Sequence, residues 1–472
     1  MIPVTIFAGR DVAVLGLGVS GLAVARALRA GGARAVLWDD KPSAREEAAA
    51  EGFTVSDLAS ADWSGFAALV LAPGIPLTHP EPHWSVERTR TAGVELIGDM
   101  ELFFRERART GAPGKVVVIT GTNGKSTTTA LTAHLLAAAG KRVALGGNIG
   151  KAVLELEPFA PDLTYVIELS SFQIELAPSL SPDAAALLNI TPDHLDRHGT
   201  LANYARIKSS IFARLAPGAT AVIGVDDSAS RAIADSLRGP FAVKRIAVGR
   251  AVETGVFAED GVLHEMEGGG EVARVDLVGI GSLRGAHNWQ NAAVAHALAR
   301  SQGLSSTSIA QGLKSFAGLA HRMEQVARRG KVLFVNDSKA TNADAAGKAL
   351  ASFTDIYWII GGRAKEGGLA GLEPFFPKIA RAYLIGEATE AFARQLGGAV
   401  DHVHCATLDR AVAAAAADAS RSAAKEPVVL LSPACASYDQ FDNFAMRGDA
   451  FRDMVMGLDG AEKVKPEQGK AA

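Results

Sequence analysis

Two cysteines, Cys405 and Cys435, are all that the 472 residues carry, and no CxxC pair occurs. That scarcity disfavours a disulfide framework or a cysteine-ligated zinc site and fits a reducing compartment. Cys435 has no basic residue beside it in sequence, so a small buried thiol is expected rather than a nucleophile. An excess of charge of one sign is also missing. Lys and Arg number 48 against 51 Asp and Glu, giving a net charge of −3 and a pI near 6.4. The chain therefore gives no electrostatic reason to expect nucleic acid or an anionic membrane as a partner. No apolar run approaches the ~20 residues of a membrane span. The alanine block AVAAAAADAS at 411–420 is shorter and reads as a helix. The N-terminus, MIPVTIFAGRDVAVLGLG, runs directly into a strand pattern without the basic and long apolar regions of a secretory signal. A cytoplasmic monomer is expected.

Apolar residues are plentiful, 48% of the chain, enough to bury several cores. Short β-branched runs alternate with longer alanine- and leucine-rich helical patterns, the α/β signature of parallel sheets covered by helices. Three blocks separate: 1–111, 112–317 and 318–472. The basic stretch FFRERARTGAPGK (103–115) reads as the linker between the first two. The glycine-rich section 250–285 alternates like small antiparallel strands. The polar tail 459–472 is expected to be mobile. Polar residues cluster just after the strands, at the carboxyl ends where open parallel sheets bind ligands.

In the first block, Gly16-x-Gly18-x-x-Gly21 follows a strand and opens a helix, and Asp39 ends the next strand. The glycines permit a tight turn and close approach of a phosphate to the helix N-terminus, while the carboxylate suits a ribose hydroxyl. A nucleotide-type ligand is favoured, and an NAD-binding module stays open on this motif alone. In the second block, VVVITGTNGKSTTTALTAHLLAAAG places Gly121, Thr122, Asn123, Gly124, Lys125, Ser126 and Thr127 between a strand and a helix. The common phosphate loop is G-x-x-x-x-G-K-[ST], yet Ile119 stands where its first glycine should be. Even so, backbone N–H groups of Thr122 to Lys125 could cradle phosphate, with Lys125 on the β/γ-phosphates and Ser126 on Mg²⁺.

Glu168 ends the strand YVIE, where it is a surface acid or a Mg²⁺ ligand. NITPDHLDRHG packs Asp193, His194, Asp196 and His198 together, as a polar loop or a metal site. Lys208, on the helix LANYARIKSSIF, reads by itself as a solvated helix lysine. In the third block, NDSKATN crowds Asp337, Ser338, Lys339, Thr341 and Asn342 into one loop after a strand. Arg322 in HRMEQV is a linker arginine or a charge clamp. Lys365 in GGRAKEGG and Ser437 in SPACASYDQFDNF sit in further strand-end loops.

In this order, TGTNGKSTT, ELSSFQ, NITPDHLDRH, HNWQNAAVA, HRME, NDSKATN and LSPACASYDQFDNF resemble the Mur ligase family over nearly the whole chain. The resemblance implies a Rossmann-like N-terminal domain for a UDP-linked substrate (1–111). It implies a central P-loop-type ATPase domain with a mainly parallel sheet (112–317), then a Rossmann-like C-terminal domain (318–472). GLGVSG, GGNIG at 146–150 and ELSSFQIE imply the branch that joins D-glutamate to UDP-N-acetylmuramoyl-L-alanine with ATP, through an acyl phosphate. Ile119 then simply ends the buried strand of a family-specific loop.

The resemblance also implies site roles. Ser126 and Glu168 hold one Mg²⁺, and His194 with a carbamoylated Lys208 holds a second. Asn291, Arg322 and Asp337 contact ATP, with Lys339 supporting catalysis. Gly18, Val19, Ser20 and Asp39 meet the uridine diphosphate, and Asn148 the sugar-linked part. Thr341, Lys365, Ser437 and Phe444 line the D-glutamate site. Two positions depart from the family pattern. GGRAKEGG lacks the glycine-aspartate-glycine-lysine form, and Tyr438 stands where leucine is expected.

Overall fold

The computed structural model describes residues 1–464. Each stretch of Val, Ile and Leu noted above becomes a strand buried on both faces, as parallel sheets covered by helices require. Three sheets result. The first has five parallel strands in the spatial order Thr54–Val55, Arg34–Trp38, Asp11–Leu15, Phe66–Leu71, Glu95–Ile97.

The second sheet has nine strands. Arg142–Gly147, Leu163–Glu168, Lys115–Thr120, Ala184–Leu187, Thr220–Gly224, Ala242–Val248 and Gly255–Glu259 lie side by side and parallel. Val262–Glu267 and Gly270–Asp276 then add antiparallel, as the alternation at 250–285 predicts. The chain leaves Lys115–Thr120 towards one edge of the sheet and later returns to its other side at Ala184–Leu187. This reversal opens a crevice at the carboxyl end of Lys115–Thr120, the standard ligand position of such sheets.

The third sheet has seven strands. His402–Ala406, Ile379–Ile385, Ile356–Gly361, Val428–Leu431 and Val332–Asn336 run parallel. Glu324–Arg329 pairs antiparallel with Val332–Asn336, and Glu462–Lys463 antiparallel with Glu324–Arg329. Part of the polar tail is thus a short strand, and its remainder, 465–472, lies outside the described residues. The alanine block falls in the helix Leu408–Arg421, whose Ala411, Ala415, Ala416 and Ala419 pack against this sheet.

The chain forms two compact units. One comprises Met1–Asp276 with Gln290–Gly312 and holds the first two sheets. The other comprises Leu277–Trp289 with the chain from Leu313 and holds the third. Within the first unit, one apolar core cluster runs from Val12 and Leu28 through Phe103 and Phe104 to Val116 and Tyr165.

The basic stretch at 103–115 is not a linker over most of its length. The helix Asp99–Arg109 occupies its first half, and Lys115 already starts a strand. Asp99 and Glu101 in the first turn and Arg107 and Arg109 in the last oppose the helix dipole favourably. Phe103 and Phe104 are buried, and Arg107 donates to Asp183 at 2.7 Å. These basic residues are ion-paired helix positions; only 110–114 is loop.

Candidate active site

The first sheet offers a glycine turn. A Cβ on Gly21 would come within 1.8 Å of the Gly16 carbonyl oxygen, so the helix Val19–Ala30 can start so close to the strand only with glycine there. Gly18 caps that helix and Val19 is exposed. The Asp39 carboxylate braces the turn, accepting from the Leu17 N–H at 2.6 Å and the Lys41 N–H at 2.8 Å. The Arg45 guanidinium lies 4.4 Å over the neighbouring Trp38 ring.

In the second sheet, four strand ends converge on the crevice. Thr120 leads into the loop Gly121–Gly124, and Gly124 starts the helix Lys125–Ala138 with φ 85°. A Cβ on Gly124 would meet the Asn291 carboxamide oxygen at 2.2 Å, so this residue has both the conformation and the clearance of glycine alone. Asn291 also accepts from the Thr128 hydroxyl at 3.2 Å, placing it against the loop helix. Lys125 Nζ donates to the carbonyls of Gly121 (3.0 Å) and Thr122 (2.8 Å), which folds it back over the loop.

The expected cradle differs in one respect. The N–H groups of Thr122 and Asn123 are taken by Asn189, through its carbonyl and its side-chain oxygen, each at 2.9 Å. Of the expected cradle, the first turn of the Lys125–Ala138 helix is the part whose geometry suits an anion.

Glu168, at the end of the adjacent strand, is 1% exposed. Its Oε1 accepts from the Asn148 Nδ2 at 2.7 Å, whereas Oε2 is buried with no hydrogen-bond partner. An orphaned carboxylate oxygen is costly unless a donor or cation completes it. Among the described residues no three His, Cys, Asp or Glu side chains gather into a metal cage. The donor set does fit Mg²⁺, which is ordinarily held by one or two carboxylates with phosphate and water completing its shell.

Lys208 is not a solvated helix lysine. On the helix Leu201–Ser209 it is 1% exposed, and its Nζ donates to the Thr120 hydroxyl at 3.2 Å. It lies 4.7 Å over the Tyr204 ring. Burial pushes its ammonium well below the ordinary lysine range, and the Lys125 charge pushes the same way. Asp193 and Glu168 only partly oppose this. The charged form of Lys208 is thus disfavoured in this buried position. The sequence held a sign of it: Leu201, Tyr204 and Lys208, with Ile207 and Ile211, fall on one helical stripe.

The NITPDHLDRHG segment divides. His194 is exposed, has φ 51°, and sits 3.5 Å from the Asp193 carboxylate. His198 is buried, shares a 2.9 Å hydrogen bond with Ser171, and stacks on Phe172. Burial is the main cause that lowers the His198 imidazole to about 4, so it is neutral. Phe172 contacts both histidine rings, and His198 continues through Tyr204 to Lys208. Ser171, Phe172, Tyr204 and Asn189 were not singled out in the sequence, because each acts through a partner distant along the chain.

In the second unit the loops again follow parallel strands. Asp337 is buried, accepting from the Ser432 hydroxyl at 2.8 Å and the Met323 N–H at 3.2 Å. Burial raises its carboxyl to about 7, with Arg322 opposing. Lys339 Nζ lies 3.7 Å over the Phe444 ring. Ser437 is buried, Thr341 and Phe444 are half-buried, and Lys365 is exposed. Burial pushes the Cys435 thiol up to about 12, in keeping with an inert thiol. Thus Thr120–Ser126, Asn148, Glu168, Lys208 and Asn291 come together on the first unit, while Asp337, Lys339, Thr341, Ser437 and Phe444 come together on the second.

These are the features of a nucleotide-dependent ligase, and the chain belongs to the Mur ligase family. Residues 119–299 match the Mur ligase middle domain, and residues 321–435 match the Mur ligase glutamate ligase domain. At 56% identity over 99% of this chain and all of its own length, it is similar to the UDP-N-acetylmuramoylalanine--D-glutamate ligase of Brucella suis biovar 1 (strain 1330). The protein of the same name from Rhizobium meliloti (strain 1021) is 55% identical over 98% of this chain and 99% of its own. Among solved structures, the fold is similar to UDP-N-acetylmuramate-alanine ligase MurC from Thermotoga maritima. There the TM-score is 0.57 at 17% identity, covering 94% of this chain and 99% of that one. MurF from Acinetobacter baumannii gives a TM-score of 0.56 at 17% identity, covering 96% and 93%. The three-domain architecture, with Rossmann-like domains flanking a central ATPase-type domain, is that of the family. No described helix is long and apolar enough to cross a membrane.

Proposed function

We propose that the chain joins the amino group of D-glutamate to the terminal carboxylate of UDP-N-acetylmuramoyl-L-alanine, converting ATP to ADP and phosphate, as a step of peptidoglycan synthesis. One observation carries the chemistry. A phosphate-type loop, a carboxylate with an orphaned oxygen and a buried lysine meet at one sheet crevice. The amino acid follows from relatives named for D-glutamate at 55–56% identity along their whole length.

A carboxylate oxygen of the acceptor attacks the γ-phosphorus of ATP, and the bond to ADP breaks. Like charges oppose that approach, and phosphoryl transfer is catalysed mainly by positioning and charge stabilisation. Lys125 supplies a cation at the loop. The resulting acyl phosphate is attacked by the amine of D-glutamate. The tetrahedral intermediate then expels phosphate, the amine proton departs to a base, and an amide remains.

Ser126 and Glu168 would hold one Mg²⁺, and His194 with a carbamoylated Lys208 a second. Bound there, Mg²⁺ supplies positive charge beside the phosphates. A neutral Lys208 amine is the form that can attack CO₂, forming the N–C bond and losing a proton, and the carbamate anion could then serve as a ligand. Asn291, Arg322 and Asp337 contact ATP, and Lys339 supports the transfer. Gly18, Val19, Ser20, Asp39 and Asn148 receive the UDP-linked substrate. Thr341, Lys365, Ser437 and Phe444 receive D-glutamate, with Lys365 facing the charge of a dicarboxylate. The protein acts in the cytoplasm as a monomer.

Phosphate release with ATP, UDP-N-acetylmuramoyl-L-alanine and one amino acid at a time tests the reading. D-glutamate is expected to support release, and L-alanine, L-glutamate and a diamino acid are not. Release with L-alanine or L-glutamate but not D-glutamate would overturn it.

A further inference from the structure

Arg447, on the first turn of the helix Phe444–Met456, is 1% exposed. Its guanidinium ties together backbone from loops far apart in sequence. Nε donates to the Ser338 hydroxyl at 2.9 Å, and Nη2 donates to the carbonyls of Ser338 (2.8 Å) and Cys435 (3.1 Å). Ser338 in turn donates its hydroxyl to the Phe444 carbonyl at 2.8 Å. Nη1 is buried without a partner. Gly362 backs onto it: a Cβ there would lie 3.3 Å from Nη1 and 2.3 Å from the Ala436 carbonyl oxygen. Arg363 and Ala436 exchange backbone hydrogen bonds at 2.9 and 3.0 Å, joining the same two loops.

Among the described residues no carboxylate forms a direct ion pair with Arg447, and Asp439 acts on it only as a nearby charge. Burial lowers even this guanidinium, to about 10. A buried cation without a direct ion-pair partner costs stability wherever it serves packing alone. Its three neighbours are the loops that follow Val332–Asn336, Ile356–Gly361 and Val428–Leu431. Those loops carry Thr341, Lys365 and Ser437, the residues proposed for D-glutamate.

We propose that Arg447 is a positioning and specificity-determining residue for the amino-acid substrate. It locks the three loops into one receptor and adds positive charge beneath it, suited to a dicarboxylate. This rests on the D-glutamate reading above. Arg447 does not touch the reacting atoms, since its nitrogens are buried or held by backbone.

The test is steady-state kinetics of Arg447→Met, Arg447→Lys and Ser338→Ala, each substrate varied in turn, beside the unaltered enzyme and with thermal melts. Arg447→Met should raise the KM for D-glutamate about tenfold or more, the scale of losing a supporting partner of a binding group. The KM for UDP-N-acetylmuramoyl-L-alanine should stay within about twofold. Arg447→Lys, which keeps the charge, should recover part of the loss, and Ser338→Ala should show a smaller rise confined to D-glutamate. Equal effects on all three substrates, or an unchanged KM for D-glutamate in the folded variants, would overturn the proposal. If both Arg447 variants fail to fold, an unchanged KM in Ser338→Ala overturns it and a selective rise supports it. An unaltered enzyme without D-glutamate-dependent phosphate release removes the functional reading, and this proposal with it.

Discussion

Lys125→Ala is expected to lower turnover about 10³-fold, the scale of removing a charge aimed at a transferring phosphoryl group. The reason is local. Lys125 is the first residue of the Lys125–Ala138 helix, and two loop carbonyls direct its Nζ back over Gly121 and Thr122. Alanine is at least as good a helix former, so the helix and its buried Leu131, Leu135 and Leu136 should persist. The loss should therefore appear in kcat with a nearly unchanged melting temperature. The same variant carries a second consequence, because the Lys125 charge is one of the causes that disfavour the charged form of Lys208. Near-normal turnover by Lys125→Ala would refute the assignment of this loop to ATP.

Lys208→Ala is expected to lose about 10²- to 10³-fold in activity and to regain part of it with millimolar acetate or formate. The substitution leaves a buried space between Tyr204 and Thr120, which the lysine side chain fills. A small carboxylate can enter that space and place its oxygens where the carbamate of Lys208 would place its own. Lys208→Met fills the space with apolar atoms instead, so it should be equally inactive and should not respond to added carboxylates. Loss without rescue in the alanine variant, or rescue of both variants alike, would remove the carbamate from the account. Full activity of Lys208→Met would remove Lys208 from the site altogether.

Much of the frame was legible in sequence because parallel strands are buried on both faces and read as unbroken apolar runs. VVVIT, TYVIE and VVLL announced their strands, and the polar residues following them marked the carboxyl ends. Gly121, Gly124, Lys125 and Ser126 stood in register for a phosphate loop, although Ile119 replaced the usual first glycine. What escaped was set by partners distant in the chain. Asn189 occupies two loop N–H groups from 66 residues away. The Arg447 network joins residues 109 apart. Arg107 resembled a linker residue because its acidic partner, Asp183, lies 76 residues away. Lys208 misled for a different reason: lysine is so seldom buried that the stripe it shares with Tyr204 and Ile207 was outweighed by residue type. Such a breach of local rules is expected where chemistry is done.

The central claim is that the acceptor carboxylate attacks ATP before the amino acid arrives at carbon. UDP-N-acetylmuramoyl-L-alanine labelled with ¹⁸O in its terminal carboxylate tests this directly. With ATP and D-glutamate, each phosphate released should carry one labelled oxygen, and the amide product should have lost one. Unlabelled phosphate formed together with amide would contradict an acyl phosphate and the role given to the Lys125 crevice.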